Sequence, residues 1–258
     1  MRFSFDMGTG AVEVGRYRGA PVMLSPTFFI TAVILAVPFL RMFSLRGLVL
    51  AGFFIAMFFL SILIHELAHA VMATNYRVDA ARIEINMAGG LVQFRGWPRT
   101  MQQDLLITLA GPISNLALGL AALALLMLLP APTPEMIVLD GKLVPERFPQ
   151  PSVIAQLLRA TVYVNIGLGV VNMLPGIPLD GGKIVYLLIE QRWHSRTALL
   201  TVSSLGLFFA TVNTFLLIGT IIAGFPIWAP PTFGANWEAF KAARGGRRAN
   251  WDAVAFGG

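Results

Sequence analysis

Two histidines four residues apart, His65 and His69, enclose Glu66 in a stretch (48–73) where that glutamate is the only charged residue. On a helix, positions four apart share a face, so both imidazoles can reach one ion. Glu66 projects about 100° round from His65, near enough to hold a water bound to that ion. Zinc lowers the pKa of such a water towards ~7, and a carboxylate can then take its proton. The bland alternative is a pair of structural histidines beside a buried acid. An ionisable group in hydrocarbon costs roughly 2.5–3.5 kcal/mol even on lenient scales and needs a partner. Three such groups within five residues are therefore read as a metal centre.

Catalytic zinc takes three protein ligands and leaves one position open. The chain has no cysteine, so neither thiolate sites nor disulfides are available. The remaining histidine, His194, sits in the polar run 191–196 and reads as a solvated interfacial residue. Asp180 lies in Asn172-Met-Leu-Pro-Gly-Ile-Pro-Leu-Asp180-Gly-Gly. Pro175 and Pro178 forbid regular helix there. Irregular backbone at membrane depth is tolerated only when it is buried in protein or lines a wet cavity. From spacing, Asp180 is either a ligand presented at such a cavity or part of an ordinary interfacial turn. Asn165 and Asn172, seven apart, share a helix face. They read either as interhelical hydrogen-bonding groups or as binders of a substrate backbone or oxyanion. Gly111-Pro112-Ile113-Ser114-Asn115 reads as a close-packing motif of small residues.

These residues must be positioned by membrane helices. Of the 258 residues, 56% are apolar and only 12% are charged, and mean hydropathy is +0.72. So little polar surface cannot cover a soluble globule. The fold expected is an all-α polytopic membrane protein with five or six transmembrane helices and a short membrane-associated β-hairpin. Spans are placed at about 20–40, 48–73, 105–129, 153–174 and 197–225, with a sixth conceivable up to 233. Residues 1–233 form the expected membrane core, and 234–258 a basic C-terminal tail with no visible core. The hairpin is expected over 81–95, where apolar residues alternate around Gly89-Gly90. Residues 16–24 read as an extended approach to the first span. Met1–Ala20 carries Asp6 and Glu13 without an early apolar run, unlike a cleavable signal peptide.

The net charge of +6 comes from Lys and Arg scattered through short inter-span segments, with no basic helix carrying interleaved aromatics. No nucleic acid partner is expected. Arg2, Arg16 and Arg18, then Arg77, Arg82, Arg95 and Arg99, then Lys183, Arg192 and Arg196 outnumber the Arg41, Arg46, Lys142 and Arg147 of the opposite loops. This bias places the N-terminus in the cytoplasm.

HELAH in one span, AGPISN at the start of the next and N-x-x-P-x-x-x-L-D-G-G after the fourth together resemble the site-2 protease family of intramembrane zinc metalloproteases. Gly19-Ala20-Pro21-Val22 and Gly89-Gly90 resemble that family's membrane entry and hairpin. The likeness runs from residue 16 to about 192, in a minimal form without a PDZ or CBS domain. It implies one zinc ion per chain with Asp180 as third ligand, Glu66 as general base, and cleavage of a transmembrane protein substrate near the cytosolic side. Such a substrate could be a membrane-anchored regulator, and the implied location is a bacterial or archaeal cell membrane. Substrate contacts are expected from Asn172, Asn165, Gly89 and Gly90. Among the competitors is a zinc protease class with a later glutamate as third ligand, but Glu135, Glu146, Glu190 and Glu238 lie in no well-formed span. The other competitors are a membrane metal transporter and an inactive membrane scaffold. Convergence of the ionisable groups on one level weighs against transport, and the intact Glu66 weighs against an inactive scaffold.

Overall fold

The computed structural model describes residues 5–133, 136–139, 142–145, 151–222, 233–245 and 251. Its elements run β1 (Val12–Tyr17), β2 (Ala20–Leu24), α1 (Thr27–Leu40), α2 (Leu45–Asn75), β3 (Ala80–Asn86), β4 (Gly89–Phe94) and α3 (Met101–Met127). They continue with β5 (Met136–Leu139), β6 (Lys142–Pro145), α4 (Val153–Asn172), α5 (Asp180–Glu190), α6 (Ser195–Ile222) and α7 (Phe233–Arg244).

Four of these helices are long and apolar enough to cross a bilayer: α2, α3, α4 and the Ser195–Leu216 part of α6. The expected count of five or six is corrected at the first span. Residues 20–24, apolar enough to count towards hydropathy, are spent on β2, and α1 keeps 14 residues. At 1.5 Å per residue α1 is about 21 Å long, short of the ~30 Å hydrocarbon layer. Of the conceivable sixth span, the part up to Ile222 continues α6, residues 223–232 lie outside the described residues, and Phe233 opens α7.

The expected hairpin is present as β3–β4, with Ile83 opposite Val92 and Glu84 opposite Leu91. It belongs to a larger sheet. β2 pairs in parallel with β3, and β1 pairs antiparallel with β2, giving the order β1-β2-β3-β4. β4 is thus an edge. Parallel pairing of β2 with β3 requires a long crossover, here α1 and α2, so the segment 16–24 becomes a sheet partner of a strand some sixty residues away. The sheet is tied to the helices at its turn. Thr31 donates its hydroxyl to the Met87 carbonyl at 2.9 Å, and the Met87 N–H donates to Thr27 Oγ1 at 3.2 Å.

Phe28, Ala32 and Ala36 of α1 pack on Phe54, Met57, Phe58 and Ile62 of α2, with Ile85 of β3 and Ala160 of α4 closing the cluster. The α3–α4 contact depends on small residues. A Cβ at Gly119 would stand 2.7 Å from Ile166, and one at Gly169 would stand 2.8 Å from Leu116. Where lipid removes the hydrophobic drive between helices, such close backbone approach provides the packing. Ser44 and Thr100 cap α2 and α3 by accepting the Gly47 and Gln103 N–H groups.

Candidate metal centre and cleft

Asp180 reaches the two histidines because α4 stops at Asn172 and the chain turns through Pro175 and Pro178 before α5 begins. The paired glycines after it serve this turn. A Cβ at Gly181 would collide with the Met173 carbonyl and one at Gly182 with the Gly176 carbonyl. Both glycines thus permit close approach of the loop to its own backbone. α5 itself, an 11-residue helix headed by Asp180, is absent from the sequence reading. Lys183, one turn further, forms an ion pair of 2.8 Å with Asp104 in the first turn of α3.

His65 Nε2 lies 3.1 Å from Asp180 Oδ2 and 3.1 Å from His69 Nε2, and His69 Nε2 lies 3.4 Å from Asp180 Oδ2. Ligand bonds of about 2.0–2.1 Å at tetrahedral angles separate ligand atoms by about 3.3–3.4 Å. The three atoms therefore match one face of a zinc-sized tetrahedron, in a chain without cysteine thiolates. His69 Nδ1–H donates to the Ile107 carbonyl at 2.7 Å, which leaves the Nε2 lone pair facing the other two donors. Both histidines and Glu66 are buried. Gly111 of α3 faces the rings so closely that a Cβ would overlap His69 Nε2 and press on His65 Nε2. Gly90 stands in the same relation to Glu66, whose carboxylate a Cβ would strike. The AGPISN glycine, read from sequence as a packing residue, thus makes room for the imidazoles themselves.

A cleft of about 260 Å³ opens over this group. Of the residues singled out from sequence, His65, Glu66, His69, Asp180, Asn172, Gly89 and Gly90 line it. Asn165 is not among the lining residues: it is buried and donates to the Thr161 carbonyl of its own helix at 3.0 Å. His194 is exposed, as expected. Sequence reasoning passed over Asn115, which is fully buried, lines the cleft and meets no hydrogen-bond partner at either amide atom among the described residues. Its only sequence signal was a second amide near the start of an apolar span, inside a motif that reads as packing. β4 runs along the cleft, contributing Leu91, Val92 and Phe94 as well as its two glycines.

Membrane-length helices around two buried histidines and a half-buried aspartate, with a glutamate beside them, define an integral membrane protein with a metallopeptidase-like centre. Residues 53–146 and 146–213 match Peptidase family M50, and the chain belongs to that family. It is 30% identical over 185 residues to Rip3 of Mycobacterium tuberculosis, covering 71% of this chain and 43% of that protein. It is 22% identical over 183 residues to the zinc metalloprotease MJ0392 of Methanocaldococcus jannaschii, covering 71% and 47%. The chain spans less than half the length of these curated relatives. The solved site-2 protease from Methanocaldococcus jannaschii shares the fold, with a TM-score of 0.55 at 18% identity over 93% of this chain and 96% of that one.

Proposed function

We propose that the chain is a zinc-dependent intramembrane protease in which His65, His69 and Asp180 hold the metal and Glu66 is the general base. The observation that carries this reading is the triangle of 3.1, 3.1 and 3.4 Å between the three donor atoms, with Glu66 beside it in one cleft. Family membership and the zinc metalloprotease MJ0392 support zinc as the ion. When bound, zinc would supply Lewis acidity at the scissile carbonyl and make water a competent nucleophile near neutral pH. Glu66 takes the proton from the attacking water and returns it to the departing amine. The Ile107 carbonyl holds His69 in one tautomer throughout.

A peptide bond inside a helix is shielded by its own hydrogen bonds, so the substrate must be unwound before attack. Unwound backbone in an apolar setting needs replacement partners. β4 is an edge strand along the cleft, and strand addition there would supply them. Asn172 adds a side-chain amide at the end of α4. The substrate is then a transmembrane protein, cleaved near the cytosolic face on which the Arg-rich loops and the N-terminus lie.

The test is a helical transmembrane substrate co-reconstituted with the full chain in liposomes. Cleavage should require zinc, stop on chelation and return on zinc addition. Along an edge strand alternate N–H groups face outward, so proline at Leu91 or at Val92 removes a donor offered to substrate in one case and a donor used by β3 in the other. The outward-facing variant should keep its zinc yet cleave the helical substrate at least ~10-fold more slowly, with helix-breaking residues at the scissile site restoring part of the loss. Chelator-resistant cleavage would remove the zinc reading. Wild-type rates in both proline variants would remove strand addition and leave the metal assignment intact.

A further inference from the structure

The C-terminal helix α7 lies beyond the residues matched to the family, and its aromatic stripe of Phe233, Trp237 and Phe240 is not the face it buries, which is Asn236, Ala239 and Ala243. Ala239, Ala243 and Trp251 join Ile177, Tyr186, Ala198, Leu199 and Val202 in one buried cluster. Arg196 at the head of α6 donates its Nε–H to the Ala243 carbonyl at 2.9 Å and fastens the far end of α7. Trp251 packs against Tyr186 of α5, with ring centroids 5.7 Å apart, and lines the cleft.

Asn236 is the polar centre of this contact, with none of its surface exposed. Its Oδ1 accepts the Ile177 N–H at 3.0 Å, and its Nδ2 donates to the Ile177 carbonyl at 2.8 Å. One amide thus satisfies both backbone groups of a residue that has left α4 and not yet entered α5. Unpaired, those two buried groups would keep their full desolvation penalty, so the loop conformation depends on an amide at this place. Gly206 of α6 is shaped to it, since a Cβ there would overlap the Asn236 side chain. Ile177 is three residues before Asp180, and Pro178 leaves the intervening chain few alternative conformations.

We propose that Asn236 is a positioning residue of the metal centre: by clasping both backbone groups of Ile177 it sets where the loop delivers Asp180 to His65 and His69. This inference rests on the reading of those three residues as metal ligands. It makes α7 part of the peptidase core rather than an accessory tail. Outer partners that orient a ligand are typically worth 10–100-fold in metal affinity. Asn236 acts through the backbone, so the lower end applies.

The experiment follows zinc release from the purified full chain into excess chelator for Asn236→Leu, Asn236→Asp and Asp180→Ala, and for the double variants Asn236→Leu/Asp180→Ala and Asn236→Asp/Asp180→Ala. Asn236→Leu should release zinc about tenfold faster than wild type. Asn236→Asp keeps an acceptor for the Ile177 N–H but opposes its carbonyl, and it should behave similarly, so it serves if the leucine variant does not fold. Once Asp180 is gone, neither substitution should accelerate release further, because residues that act through one group are not additive. A wild-type release rate, or the same acceleration with and without Asp180, would overturn the proposal. If Asp180→Ala itself released zinc at the wild-type rate, the ligand assignment would fail first, and the inference with it.

Discussion

Replacing Glu66 with glutamine is expected to lower peptide-bond cleavage by about 10²–10⁴-fold, the usual worth of general-base assistance, while zinc content stays at the wild-type level. Glutamine matches the shape of glutamate, so it keeps the fit against Gly90, where no side chain could be accommodated. What changes is chemical: an amide does not take a proton from the attacking water. Because Glu66 is outside the donor triangle, metal binding should not register the substitution. Cleavage of a reconstituted transmembrane substrate, measured beside metal analysis, separates the two effects. A variant that cleaves within a few-fold of wild type would show that another group is the base.

Gly111→Ala should be as damaging through the opposite route. The added methyl falls on His69 Nε2 and against His65 Nε2, the two nitrogens of the donor triangle. Either the rings swing away from Asp180, or α3 withdraws from α2 and breaks the His69–Ile107 hydrogen bond. Both outcomes disperse the donors, and zinc affinity should fall by about 100-fold, the upper range for losing a ligand's orientation. Gly119→Ala is the control on the same helix. Its methyl meets Ile166 of α4, far along α3 from the histidines in sequence, so it should loosen α3–α4 packing with zinc affinity unchanged. Equal affinity in Gly111→Ala and wild type would mean that the rings do not work in the positions described.

The difference between those two glycines shows what the sequence makes legible and what it hides. His65, Glu66 and His69 could be related to one another because the helical period alone fixes their directions. Asp180 was accessible because two prolines mark where α4 must end. The hairpin was visible through alternation within one short segment. Gly111 and Gly119 look alike on paper, since which neighbour a glycine admits is decided by a helix distant in sequence. The same holds for β2. Ala20–Leu24 is apolar enough to pass for the start of a span, and only its pairing with β3 turns it into a strand and shortens α1. α7 was illegible for a further reason. Its buried face is made of Asn236, Ala239 and Ala243, which carry almost no hydropathy signal, and its value lies in a hydrogen-bonded fit to a loop 59 residues away. Asn115 was hidden by its motif, because an amide among small residues reads as packing until a cleft is seen beside it.

The central claim, that His65, His69 and Asp180 are the metal ligands, is tested most directly by counting zinc in purified protein. Wild type should carry about one zinc per chain, in keeping with three protein ligands and one open position. Asp180→Ala should give up that zinc to chelator far faster than wild type, whereas His194→Ala, altered at an exposed residue outside the cleft, should keep it. Full zinc retention in Asp180→Ala together with loss in His194→Ala would contradict the account and move the third ligand elsewhere.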